Sequence, residues 1–397
     1  MDVSPPPLVG ISPVVQLQDC IKDLLEFTLI SSIQGKIHCG LSNAYCANLL
    51  RADPSDPLPT NDEHFRGIPS YPLYKRVARS LYQSIYSGAF CVSNEELTPV
   101  HDDLSFKRKQ DEWNKLIVEE GTTLMTMLEE VDFELQVQEP FFSQLSDGLK
   151  IVEGRCAVGV YRRIKLGGVI LLNKCVMFQV QDVHQYASFH DLLEAESLEK
   201  VLPGVKSIEE GVQIYRAFYS EEKESSNGVL AICVRKPTSQ LYQIMTSIIQ
   251  GLSYEGIQRL LGFVHSVGTV PELLPPPPST LLSTFLELHN PHVKSSTLTA
   301  GARALAKHAS RSSKGYWGTL RGSDSEKNRH SLDVISCLLS HCTWLNIHIV
   351  PPHGIVLEIR IAEGYGARWS EDGTKVYDFI GFLEPYMVDG FLKGWKH

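Results

Sequence analysis

At residue 133 the spacing of apolar residues changes from that of a helix to that of a strand. No other feature restricts the possible folds of this chain as much. Upstream, residues 17–33 and 73–86 carry apolar side chains at helical spacing, and 113–128 reads as a third helix. A stretch rich in Pro and Asp, 51–72, predicts a long loop between the first two. Downstream the period moves towards two, and residues 176–181 and 228–233 have the pattern of strands. Between them Ser207 and Glu210 spell a capping box, with Val212, Tyr215 and Tyr219 continuing one apolar stripe. Residues 241–267 turn helical again. The run Pro275-Pro276-Pro277-Pro278 then predicts a stiff linker, because Pro fixes φ and removes a donor. The last hundred residues read as a separate unit, with helices near 301–310 and 331–342 and strands over 344–350, 355–361 and 379–383.

The expected class is therefore α+β. The boundaries predicted are a helical N-terminal region over 1–132, a β-rich domain over 133–236 and a helical segment over 237–270. A Pro-rich linker over 271–296 and a C-terminal α+β domain over 297–397 complete the chain. With 397 residues, 43% of them hydrophobic and 21% charged, it can bury two or three cores. A net charge of -9 excludes a protein that is basic all over, so a nucleic-acid partner would need a local basic surface. No stretch approaches the roughly 20 apolar residues of a membrane span, so no membrane association is expected. The opening Met1-Asp2-Val3-Ser4 and Pro5 to Pro7 lack the basic and apolar regions of a signal peptide. Nine scattered cysteines suit a reducing compartment, cytoplasmic or nuclear. His38, Cys39 and Cys46, like Cys337, His341 and Cys342, lack the two paired ligand groups of a structural zinc site. No metal or cofactor is expected.

The segment from Leu135 to Arg155 concentrates the chemistry. A short alternating strand meets Pro140, a helical turn follows, and Gly148 releases the chain into Lys150-Ile151-Val152-Glu153-Gly154-Arg155. On a strand Ile151, Glu153 and Arg155 face one way and Val152 and Gly154 the other. Lys150 is expected in the turn after Gly148. Lys150 and Arg155 would then bind phosphate, with Glu153 orienting Arg155 or accepting from a base edge. The alternative is an exposed strand carrying a weak surface ion pair.

Pro140-Phe141 followed by Gly148, Lys150, Glu153 and Arg155 resembles the ASCH domain, the activating signal cointegrator homology family. Leu202-Pro203-Gly204, Glu209-Glu210-Gly211, Ile214-Tyr215 and Phe218-Tyr219 resemble the helix found in many bacterial members. The resemblance implies a PUA-like β-barrel over 133–236 and RNA or a nucleotide as ligand of the cleft beside the motif. Some small relatives hydrolyse the acetyl amide of N4-acetylcytidine with a Lys, a Thr three residues later and a distant Glu. Here Lys150 matches the Lys, and Glu153 stands where those enzymes have Thr. The resemblance thus implies RNA binding first and amide hydrolysis second, with Lys150 and Glu153 as candidate catalytic residues. A third reading is a scaffold for protein partners, like the coactivator relatives.

Two further groups lie in the C-terminal unit. Arg303, Lys307 and Arg311 recur every four residues and form one positive helix stripe, followed by Tyr316 and Trp317. Cations beside exposed aromatics suit single-stranded nucleic acid, whereas the bland alternative is a solvated face with an aromatic plugged into the core. On alternation, Asn346, His348, Glu358 and Arg360 share one sheet face, with Tyr365 and Arg368 on the glycine-rich loop beyond it. Those residues form a second candidate pocket holding a His base and a carboxylate, or simply a wet sheet face.

Overall fold

The computed structural model describes residues 15–53, 55, 66–91, 104–293, 296–310, 315–371 and 377–386. It divides into two units, one drawn from residues up to 28 and from 118–248, the other from 29–117 and from 249 onwards. The α+β class holds, with thirteen α-helices among the described residues and a separate sheet in each unit.

In the first unit the strands are β1 (Phe133–Leu135), β2 (Val152–Cys156), β3 (Val169–Leu172), β4 (Val176–Tyr186) and β5 (Val229–Arg235), in the order β1-β3-β4-β5-β2. The start of β4 pairs with β3, and its remainder pairs with β5. A bulge between Val180 and Asp182 inserts a residue where the partner changes, which raises the local twist. The sheet therefore curls into half a barrel. Of the alternation expected over 135–138 only Leu135 lies in the strand, because Val137 is held instead by Asn173, whose side chain bonds both its N–H and its carbonyl.

The chain between β4 and β5 supplies four helices. In the helix Ile208–Arg216 the Ser207 side chain accepts from the Glu210 N–H, as the capping signal predicts. Glu210 itself turns back to the Lys206 N–H rather than to Ser207. The stripe on this helix packs with Phe189, Leu192, Leu193, Val229 and Ala231 into one apolar cluster, with the Phe189 and Tyr215 rings stacked 4.0 Å apart. This cluster fixes the helix over the β2–β5 pair.

In the second unit β6 (Trp344–Val350), β7 (Gly354–Arg360), β8 (Gly366–Glu371) and β9 (Asp378–Leu383) form an antiparallel meander. Ile347, Leu357, Ile359, Ala367 and Trp369 are wholly buried on one face. Helix Pro278–Phe285 covers part of it, since Trp369 donates to the Leu281 carbonyl and Phe285 meets Phe379 edge-on. The four prolines expected to space two domains are instead buried. Pro278 opens that helix, where its missing N–H costs no bond. Among the described residues no helix is long and apolar enough to cross a membrane.

Candidate functional site

Gly148, at φ +77°, lets the backbone double back so that the Leu149 and Lys150 N–H groups both donate to Gln144 O before β2 begins. Lys150 therefore lies in the turn, and its side chain runs inwards beside Glu153. Its ammonium donates to Val152 O at 2.8 Å and to Val201 O, and lies 3.2 Å from Glu153 Oε2. Three donors meet three acceptors, which is how a side chain only 1% exposed keeps its charge. The other Glu153 oxygen lies 2.8 Å from Arg155 Nε. Arg155 Nη2 donates to Gln136 O at 2.8 Å, and its guanidinium lies over the Tyr161 ring.

These residues floor a cavity of about 180 Å³ with walls that include Phe141, Leu202, Ile214 and Phe218. Burial pulls the Lys150 ammonium below its usual range, opposed by Glu153. Burial also pushes the Glu153 carboxyl up, but the charges and hydrogen bonds of Lys150 and Arg155 overcome this and hold it below the usual carboxylate range. The trio carries two positive charges and one negative, so the floor keeps a surplus positive charge among apolar walls. Tyr215 also lines the cavity. Its hydroxyl is buried against the Gly154 backbone, and a Cβ at Gly154 would lie 2.3 Å from it. Only a glycine strand position leaves room for that phenol.

The second candidate pocket forms from sheet register. Asn346, Glu358 and Arg368 are direct neighbours across β6, β7 and β8. Glu358, 3% exposed, accepts from Arg360 Nε at 2.6 Å, Arg368 Nε at 2.7 Å and His348 Nε2 at 3.2 Å. Burial pushes its carboxyl up, but the His348 hydrogen bond and the two guanidinium groups pull it down to about 2. Arg360 is also anchored to Gly364 O and Glu384 O. Asn346 bonds Ser266 and Thr269 instead of joining the cluster. Tyr365 is buried and stacks on Tyr316, ring centroids 3.7 Å apart. Arg368 lies within β8 rather than in a loop, because the strand hides behind the glycines of its turn. Gly364 takes φ +88°, and a Cβ on Gly366 would meet Ile359 O at 2.0 Å.

Two of the three stripe residues fall within the described residues. Arg303 and Lys307 are exposed on helix Ala300–Ala309, and Arg311 lies outside the described residues. Tyr316 is 38% exposed. Trp317 is wholly buried, donating to Glu384 Oε1 at 2.6 Å, so its ring offers no face to a base. The expectation of Trp317 as a stacking residue is corrected accordingly: its indole N–H finds a carboxylate inside the fold, and the ring goes with it.

Residues 135–238 match the family model of the ASCH domain. That segment is an ASCH domain. Residues 288–384 match a second model, described as the CdiA C-terminal tRNase toxin domain. The crystal structure of hypothetical protein PH0355 is 42% identical over 26% of this chain and 98% of that one, with a TM-score of 0.26. The solution NMR structure of protein PF0455 from Pyrococcus furiosus is 44% identical over 27% of this chain and 98% of that one, with a TM-score of 0.25. No curated protein matches the chain.

Proposed function

We propose that the chain is an RNA-binding protein whose ASCH cavity takes an unstacked base or nucleotide. The observation that carries this reading is the cavity's composition. Aromatic and aliphatic walls suit a base face, and the surplus positive charge of the floor suits its polar edge or a phosphate. In this reading Lys150 serves the floor, its amine held by Val152 O, Val201 O and Glu153. Phe218 tests the reading cleanly, since it lines the cavity and is 45% exposed, so its loss spares the core. Phe218→Ala is expected to weaken binding of a fluorescent single-stranded RNA by about 1–3 kcal/mol. Unchanged affinity in Phe218→Ala and in Arg155→Lys would reject the cavity as the RNA site.

A second reading, cleavage of RNA by the C-terminal domain, is favoured by the match of residues 288–384 and by the cluster around Glu358. Glu358 is clamped by two arginines and holds its proton only near pH 2, so its role is to orient His348 and Arg368. His348 Nδ1 then serves proton transfer, and the terminal nitrogens of Arg368 hold the phosphate. His348→Ala is expected to lower a transfer-RNA cleavage rate by about 10²–10⁴-fold. Cleavage that survives in this variant would assign the activity elsewhere.

A further inference from the structure

Past the bulge, Asp182, His184 and Tyr186 share one face of β4, and Cys233 of β5 stands directly opposite Asp182. Helix Phe189–Glu196 packs over the same face, since Phe189 and Leu192 cluster with Val229 and Ala231. The helix ends with Glu196 against these side chains. His184 Nδ1 meets Glu196 Oε1, and His184 Nε2 lies 3.1 Å from Asp182 Oδ2. Cys233 Sγ lies 4.0 Å from Glu196 Oε2, and the Tyr186 hydroxyl donates to Glu196 Oε1 at 2.8 Å. An imidazole nitrogen, a carboxylate oxygen and a thiol sulfur thus converge within 4.8 Å of one another, the one such group among the described residues.

We propose that His184, Glu196 and Cys233 bind a divalent transition-metal ion of the zinc class, with water in the fourth position and Asp182 holding the other His184 nitrogen. The donor set decides the class. Calcium and magnesium take oxygen ligands, whereas a thiolate with an imidazole selects zinc or cobalt. Zinc–nitrogen bonds of about 2.0 Å and zinc–sulfur bonds of about 2.3 Å set tetrahedral ligand atoms roughly 3.5 Å apart. A contraction of about 1 Å through side-chain rotation completes the geometry. His184 and Asp182 are well exposed, so an ion has a path in. Tyr186 supplies the outer hydrogen bond that commonly orients a ligating carboxylate. On binding, the ion displaces the Cys233 thiol proton and the ring proton that His184 points at Glu196, and both leave to solvent. The bound ion ties the end of helix Phe189–Glu196 to β4 and β5. The site shares no residue with the cavity or the Glu358 cluster, and so stands apart from the RNA readings.

Titration of the full chain with Co²⁺ tests this directly. Wild type is expected to develop thiolate-to-cobalt absorption in the near ultraviolet, saturating with a single ion and displaced by Zn²⁺. Cys233→Ser is expected to lose that absorption, and His184→Gln, at an exposed position, to weaken binding at least about tenfold. Cys337→Ser, which removes the exposed thiol near His341, is expected to keep the signal. Absence of the band in wild type, its persistence in Cys233→Ser, or unchanged affinity in His184→Gln would each overturn the site.

Discussion

Lys150, Glu153 and Arg155 show how one strand can carry charges of both signs into an apolar interior. Each oxygen of Glu153 faces a different cation, and the spare donors of Lys150 go to backbone carbonyls. Removing one partner strands the others. Lys150→Met is expected to destabilise the fold by about 3–5 kcal/mol, read as a lower urea midpoint at pH 7. A midpoint within error of wild type would mean that the trio is solvated and worth no more than a surface pair. The residue types and spacing of this trio were legible in the sequence, as was the turn that swings Lys150 inwards. The Tyr215 hydroxyl was not, because helical periodicity marks a tyrosine as core without saying where its phenol ends.

Elements in this chain are delimited by a few polar side chains and glycines. The helix Asp324–His341 begins with a full capping box: Ser323 accepts from the Glu326 N–H, and Glu326 returns to the Ser323 N–H. The helix Ile208–Arg216 has only the first half of that exchange with its own cap. Ser323→Ala is therefore expected to cost about 1 kcal/mol, seen as a lower melting temperature, whereas Ser323→Gly costs only a few tenths. Equal losses in the two variants would sink the assignment of the cap. Strand β8 escaped recognition for a physical reason. Gly364 and Gly366 read as loop formers, yet Gly364 only makes the turn, and Gly366 is glycine because a Cβ would strike the Ile359 carbonyl in the ladder.

Across the whole molecule, acid acts on groups that folding has pushed away from their ordinary protonation. His265, bonded to Gln258 and pulled by burial and by Arg259 from 6.5 to about 3, takes its proton more readily in the unfolded chain. Its contribution is present above about pH 6.5 and falls away as the pH drops towards 3. Glu358, lowered from 4.5 to about 2 by its cations, contributes above about pH 4.5 and loses that contribution on approach to pH 2. Each is expected to be worth on the order of 3 kcal/mol. Urea midpoints measured from pH 7 to 3.5 are thus expected to fall in two stages. His265→Gln flattens the first and leaves the second, and an unaltered first stage in that variant would remove His265 from the account.

The sequence by itself determined the α+β class, the ASCH segment and the alternation that sorts Glu358 and His348 from the apolar face of their sheet. These are properties of local period and spacing, which a single chain displays without its partners. Only the tertiary structure decided what meets across strands. Register brought Arg368 to Glu358, burial took Trp317 out of reach of a base, and helix packing laid Glu196 beside His184 and Cys233. Those outcomes depend on pairing between residues far apart in the chain. No window of sequence contains both partners.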